Sequence, residues 1–121
     1  MKMRYEKNAR ILNYLMGYCN FLGGTHFKID FKMAPHCTYI TVACTLPSLT
    51  NTQLEEARRL LQIPRQREIE QSYWNVSGEE ELDNELSLVG VMTDTAKILY
   101  DENNLFTISV SRSEDASGRP G

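Results

Sequence analysis

The sequence predicts an α+β fold of two layers, in which helices cover one face of a four-stranded antiparallel sheet built from two β-hairpins. Two observations predict the sheet: apolar and polar residues alternate with period two over 27–46 and again over 96–110, a pattern typical of strands buried on one face. The third observation is that apolar residues recur at helical spacing in the other segments, which supplies helices to cover that face. The predicted element order is α-β-β-α-α-α-β-β.

Length and composition are those of one ordinary domain. The chain has 121 residues, of which 41% are hydrophobic and 24% charged, and we expect a single α+β domain over residues 1–112. Residues 113–121 are small, polar and contain Pro and Gly, which predicts a disordered tail. The net charge of −3 makes nucleic acid or an anionic membrane an unfavourable partner. We expect neither a signal peptide nor a membrane span, and the odd count of three cysteines favours a reducing cytoplasm.

The first helix is predicted from about Tyr5 to Leu22. Gly23 and Gly24 should end it, because glycine readily adopts the left-handed conformation found after helices, and Thr25 should open the first strand. The apolar stripe of this helix consists of Ile11, Leu12, Leu15, Tyr18, Cys19 and Leu22.

The first hairpin is predicted from the pattern on both sides of a four-residue turn, 34–37. Pairing across this turn brings the apolar residues of both strands to one face, so the pattern and the turn indicate the same register. The predicted opposite pairs are Met33 with Thr38, Phe31 with Ile40, Ile29 with Val42, and Phe27 with Cys44.

A second helix follows the hairpin. Thr52 with Glu55 has the spacing of a capping box, and Thr50 with Gln53 is a competing pair. Pro64 should stop or kink this helix. Its inward residues are predicted to be Leu54, Ala57, Leu60 and Leu61.

Two further helices are predicted before the second hairpin. The third should start at Pro64 or Arg65 and end at Gly78, with an inner face of Ile69, Tyr73 and Val76. The fourth should begin with the acidic run 79–83, since negative charge stabilises a helix N-terminus. Its buried stripe is predicted to be Leu82, Leu86, Val89 and Met92 or Thr93. Leu88 and Val91 lie off that stripe, so this helix is either central in the fold or packed against another subunit.

The second hairpin has an instructive register. A loop of four residues would place apolar residues of one strand opposite polar residues of the other, whereas an odd loop aligns the apolar faces. We therefore predict an odd-length loop or a bulge near Asn103 and Asn104, since asparagine tolerates the left-handed conformation. The predicted pairs are Tyr100 with Phe106, Ile98 with Ile108, and Ala96 with Val110.

The face of the sheet away from the helices is predicted to be polar and is one candidate binding surface. Its predicted residues are Lys28, Asp30, Lys32, Tyr39, Thr41, Lys97, Thr107 and Ser109.

Histidine and cysteine residues do not form a predicted metal site. His26 and His36 fall at opposite ends of one strand, roughly 20 Å or more apart. His36 and Cys37 alone are too few ligands for a closed zinc site. Cys37, which lies beside His36, could act as a nucleophile, but nothing in the sequence supplies an orienting acid or an oxyanion site. We also expect no cofactor, because glycine-rich phosphate-binding motifs are absent from the sequence.

A cluster of arginines is the most basic part of the sequence. It comprises Arg58, Arg59, Arg65 and Arg67. One hypothesis is a phosphate- or nucleotide-binding site formed by Arg65, Arg67 and the aromatic pair Tyr73 and Trp74. The other is a solvated helical face, in which neighbouring glutamates pair with the arginines. Trp74 suits either the core or a contact with a partner.

Two resemblances concern the second half of the chain. The first rests on residues 64–70 with Tyr73 and Trp74, followed by Glu85-Leu86-Ser87-Leu88-Val89-Gly90. This pattern resembles a family of small uncharacterised bacterial proteins. The resemblance implies a bacterial cytoplasmic protein and no assigned activity. Residues 86–112 resemble part of the ATPase domain of histidine kinases. The metal-binding asparagine and the D-x-G-x-G and glycine-rich motifs of that family are missing here, so this resemblance implies lost ATP binding.

The function predicted from the sequence is that of a non-catalytic module that binds an unidentified protein partner or a second copy of itself. A small-ligand or phosphate-binding module using Arg65 and Arg67 is the first alternative, and an enzyme using Cys37 is the second.

Overall fold

A computed structural model describes residues 2–68 and 85–114 of the chain. Within these residues the chain forms three helices and one four-stranded antiparallel sheet. The elements are α1 (Lys2–Phe21), β1 (Thr25–Met33), β2 (Cys37–Thr45), α2 (Asn51–Leu61), α3 (Glu85–Met92), β3 (Thr95–Tyr100) and β4 (Leu105–Ser113). The sheet order is β1-β2-β4-β3, so the two hairpins meet through their second strands and β1 and β3 are the edges.

The helices pack on the apolar face of the sheet, as the sequence predicts. Helix α1 contacts β2, α2 contacts β3, and α3 contacts both other helices. The core is formed by buried residues from all three helices and the sheet, among them Ile11, Leu15, Ile40, Val42, Leu60, Val89, Phe106 and Ile108. Helix α3 is central: Leu86, Leu88, Val89, Gly90, Val91 and Met92 are all buried by the chain's own elements. No second subunit is needed to explain its uniform apolarity.

The first hairpin confirms three of the four predicted pairs. Met33 lies opposite Thr38, Phe31 opposite Ile40, and Ile29 opposite Val42. The fourth prediction, Phe27 opposite Cys44, is wrong. The register shifts between Thr25 and Lys28, and His26 has a positive φ of 57°, so a β-bulge interrupts the pairing at the start of β1.

The second hairpin confirms all three predicted pairs and the odd loop. Tyr100 pairs with Phe106, Ile98 with Ile108, and Ala96 with Val110. Asn104 has a φ of 67°, in the left-handed region expected for this asparagine. The Asp101 carboxylate accepts hydrogen bonds from the backbone N–H groups of Asn103 and Leu105, which stabilises the loop.

Helix boundaries follow local capping. Helix α1 starts three residues before the predicted Tyr5 and ends in a Schellman motif, with hydrogen bonds from Gly24 N to Cys19 O and from Gly23 N to Asn20 O. Helix α2 is capped by Thr50 with Gln53, which exchange side-chain and backbone hydrogen bonds. The preferred capping pair, Thr52 with Glu55, is therefore wrong. The N-cap lies two residues earlier, at Thr50, and the helix buries Ala57, Leu60 and Leu61.

The predicted tail begins too early. Ser113 is the last residue of β4, and the Glu114 side chain is largely enclosed by α1, β2 and β4. The rest of the predicted tail, 115–121, lies outside the described residues. So do most of the third helix, with Ile69, Tyr73, Trp74, Val76 and Gly78, and the acidic run 79–83.

Candidate functional site

The arginines of the predicted phosphate site have different surroundings. Arg65 donates from Nη1 to the Asp94 carboxylate at 2.8 Å and to the Ser113 carbonyl at 3.0 Å. Its side chain is only 8% exposed, so this guanidinium holds the segment after α2 against the end of β4. Arg67 is half-buried. Tyr73 and Trp74 lie outside the described residues, and the four-residue site stays a prediction.

The two arginines on α2 have different partners. Arg59 forms an exposed ion pair with Glu56, with 2.6 Å between Nη2 and Oε2, as expected for a solvated helical face. The hydrogen bond from Arg59 holds the pKa of the Glu56 carboxyl below its usual value. Arg58 approaches the carbonyl oxygen of Ile98 at 3.4 Å and lines a shallow recess of about 220 Å³ between α2 and β3, together with Lys97.

The three cysteines fall into two environments. Cys19 and Cys44 are fully buried, and burial, followed by their mutual contact, raises the pKa of the Cys19 thiol. Burial also raises the pKa of Cys44. Cys37 is half-buried, and its contact with the Tyr39 hydroxyl raises the pKa of that tyrosine. Over residues 2–68 and 85–114 no three His, Cys, Asp or Glu side chains come together as metal ligands.

A buried polar network lies at the end of the sheet near the first turn. Glu114 accepts hydrogen bonds from Thr38 Oγ1 at 2.6 Å and from Asn8 Nδ2 at 2.8 Å. Arg4 and Arg112 lie 3.5 and 3.6 Å from its carboxylate oxygens. Arg112 also donates to the Met92 carbonyl. These bonds join α1, β2, α3 and β4, and the arrangement holds the elements together rather than presenting a reactive group.

The polar face of the sheet is present as predicted. Lys28, Asp30, Lys32 and Lys97 are exposed there, and Thr41 donates to Ser109 across the β2–β4 pair at 3.2 Å. Lys32 Nζ lies 5.8 Å from the ring centroid of Tyr39. Leu99, which was not among the predicted residues of this face, is 54% exposed on it.

Strand β1 is the open edge of the sheet and the most distinctive surface of the described residues. It has nine residues, and its hydrogen-bonded neighbour in the sheet is β2. Ala34 N donates to Cys37 O next to the turn. Because hydrogen-bonded and non-hydrogen-bonded pairs alternate in an antiparallel ladder, the backbone groups of Ile29, Phe31 and Met33 point away from β2. Among the described strands none lies beyond β1, so these groups are available to another strand.

The same three residues place apolar side chains on the helix side of the edge. Ile29 is 45% and Met33 41% exposed, although both lie opposite buried residues of β2. Phe31 is half-buried and meets Tyr5 of α1 edge-to-face, with ring centroids 6.3 Å apart. Tyr5 is itself 53% exposed. Helix α1 packs over β2 and leaves this strip of apolar side chains exposed to water. Contiguous exposed apolar side chains are typical of interaction surfaces.

The other edge of the sheet differs. Strand β3 has six residues and contacts α2. Asp101 N donates to Leu105 O, and by the same alternation the carbonyl of Ile98 points outward. Arg58 lies against that carbonyl. A short edge covered by a charged side chain is a common protection against strand addition, and β1 lacks such a cover among the described contacts.

Sequence reasoning found β1 but not its place in the sheet. Alternation predicted both hairpins, whereas the order of strands depends on which hairpin strands meet. The alternating charges of Lys28, Asp30 and Lys32 are one signal of an edge strand that the sequence did carry.

No family model matches this chain, and no curated protein matches it. In the described part of the chain no helix has the length and apolarity to cross a membrane.

Proposed function

We propose that this chain is a non-catalytic interaction module that associates with a second copy of itself through the open edge of β1. The observation that carries the proposal is the coincidence, on one strand, of outward-pointing backbone groups and exposed apolar side chains at Ile29 and Met33. Strand addition uses both features at once, since the backbone supplies hydrogen bonds and the side chains supply buried apolar area.

The proposal retains the non-catalytic function predicted from the sequence, but a different surface now supports it. The uniform apolarity of α3 no longer supports self-association, because α3 is buried within its own chain. The β1 edge supports it instead. That the protein is bacterial and cytoplasmic rests on the sequence resemblance and the cysteine count, and is part of the same proposal.

The size of the surface predicts a weak complex. Stable protein interfaces bury about 800 Å² per partner, and we expect one strand edge with a neighbouring helix face to bury less. We therefore expect a reversible monomer–dimer equilibrium with a dissociation constant on the order of micromolar.

Sedimentation velocity over a concentration series tests the proposal. The natural chain should convert from monomer to dimer with increasing concentration. Ile29→Lys places a charge in the apolar strip and should keep the chain monomeric. Leu99→Lys is the matched control, since Leu99 is similarly exposed but lies on the polar face of the other edge. A chain that stays monomeric at about 1 mM rejects the proposal, and a dimer that survives Ile29→Lys rejects β1 as its surface.

A further inference from the structure

The geometry of β1 points to one arrangement of the dimer, and this inference rests on the proposed function. We infer that two copies pair β1 antiparallel about a two-fold axis at Phe31. Asp30 of each copy then faces Lys32 of the partner subunit, and Ile29 faces Met33 of the partner subunit. The product is one continuous sheet of eight strands.

The backbone sets which residues can pair. The outward groups belong to Ile29, Phe31 and Met33, as the alternation from the Ala34–Cys37 hydrogen bond requires. A two-fold axis at Phe31 makes Phe31 face its own copy as a hydrogen-bonded pair. Asp30 and Lys32 then form the intervening non-hydrogen-bonded pairs, in which side chains come closest.

Charge excludes the two neighbouring registers. An axis at Asp30 would place the two Asp30 carboxylates opposite each other and Lys28 opposite Lys32. An axis at Lys32 would place two lysines face to face. Like charges directly opposite destabilise a strand pair, whereas the axis at Phe31 gives two Asp30–Lys32 ion pairs.

The backbone excludes the registers further out. An axis at Ile29 would extend the pairing onto Phe27, where the bulge between Thr25 and Lys28 interrupts the strand. An axis at Met33 would place Phe31 opposite Pro35, which has no N–H to donate. The register at Phe31 is the one that pairs residues 29–33 without an interruption or a charge clash.

The pairing ends at two copies. A two-fold interface uses β1 of both chains and leaves β3 as each outer edge. Strand β3 is short and its outward Ile98 carbonyl meets Arg58, which protects it against further addition. A closed dimer, and not a fibre, is the expected assembly.

Charge substitutions test the register. Lys32→Asp would place aspartates opposite Asp30 at both ion pairs and should weaken the dimer about tenfold or more. Lys28→Asp makes the same charge change on the same face, outside the paired residues 29–33, and should leave the dissociation constant within about twofold. The double variant Asp30→Lys with Lys32→Asp restores opposite charges and should recover dimerisation. Equal effects of Lys32→Asp and Lys28→Asp, or no rescue by the double variant, would overturn the register.

Disulfide cross-linking tests the contact directly. In a Cys37→Ser background, chains with Asp30→Cys mixed with chains with Lys32→Cys should form a covalent dimer on mild oxidation. Asp30→Cys alone should form far less, because two copies of residue 30 are not opposite. A dimer that depends on Ile29 but gives no 30–32 cross-link rejects the register and leaves the proposed function standing; a chain that never dimerises rejects both.

Discussion

The hydroxyl of Thr38 donates a hydrogen bond of 2.6 Å to the carboxylate of Glu114, across a separation of 76 residues. Thr38 is completely buried at the start of β2, and Glu114 follows the end of β4. Asn8 of α1 donates to the same carboxylate oxygen at 2.8 Å. Glu114 is therefore part of the folded domain, and its charge is held by residues from three elements.

This network predicts a specific dependence of stability on pH. Burial raises the pKa of Glu114, but hydrogen bonds from Thr38 and Asn8 and the charges of Arg112 and Arg4 outweigh it and hold the pKa below its usual value. Because the pKa of Glu114 is lower in the folded chain than in the unfolded chain, where it is about 4.3, the ionised carboxylate stabilises the fold at pH values above about 4.3. This stabilisation is lost as the pH falls through the pKa of the folded state.

Glu114→Gln should therefore lower the free energy of unfolding by roughly 1–3 kcal/mol at pH 7, and the difference from the natural chain should shrink below about pH 4. Urea unfolding at several pH values measures this. Glu102→Gln, at an exposed loop position, is the control and should change little. A Glu114→Gln deficit that stays constant down to pH 3, well below the usual glutamate pKa of about 4.3, would contradict the prediction.

The two glycines after α1 should respond differently to alanine. Gly23 has a φ of 94° with open space around the position of a Cβ, so Gly23→Ala should cost about 1 kcal/mol of backbone strain. At Gly24 a Cβ would lie 2.7 Å from Cys44 Sγ and 2.9 Å from the Cys19 carbonyl oxygen. Gly24→Ala should therefore cost more, about 1–3 kcal/mol. Thermal or urea unfolding of both variants gives the order, and equal losses would show that the contact at Gly24 relaxes freely.

Thiol labelling separates the cysteine-enzyme hypothesis from the interaction module. Cys19 and Cys44 are buried with raised pKa values, so they should react with a disulfide reagent only on unfolding. Cys37 should react in the folded chain, at a rate no faster than free cysteine. Cys37→Ser removes that signal and serves as the control. Labelling of Cys37 far faster than free cysteine would favour the enzyme instead.

Much of the fold could be predicted from local pattern. Five of the six apolar cross-strand pairs that anchor the two predicted registers agree with the structure, for instance Ile29 with Val42 and Ile98 with Ile108. The failure at Phe27 has a physical cause: a bulge inserts a residue without changing the alternation of residue types nearby. Thr50 and Thr52 offered two capping pairs with the same spacing, so local pattern did not separate them, and the structure forms the pair of Thr50 with Gln53.

The candidate site was only partly predictable. The sequence identified Ile29 and Met33 as apolar strand residues facing the helices, but it placed them in the core. Arg65 was predicted for a ligand, whereas Asp94, 29 residues away, binds its guanidinium. Both differences come from contacts between segments distant in the chain.

The amino-acid sequence by itself determined the type and order of the described elements, both hairpin registers apart from the bulge before Lys28, and the apolar side of the sheet, because these depend on neighbours a few residues apart. Only the tertiary structure decided that β4 lies between β2 and β3, that β1 is left at an edge, and that Glu114 is enclosed. These follow from packing the hairpins against each other and under the helices, where the free energy depends on surfaces that no local pattern specifies.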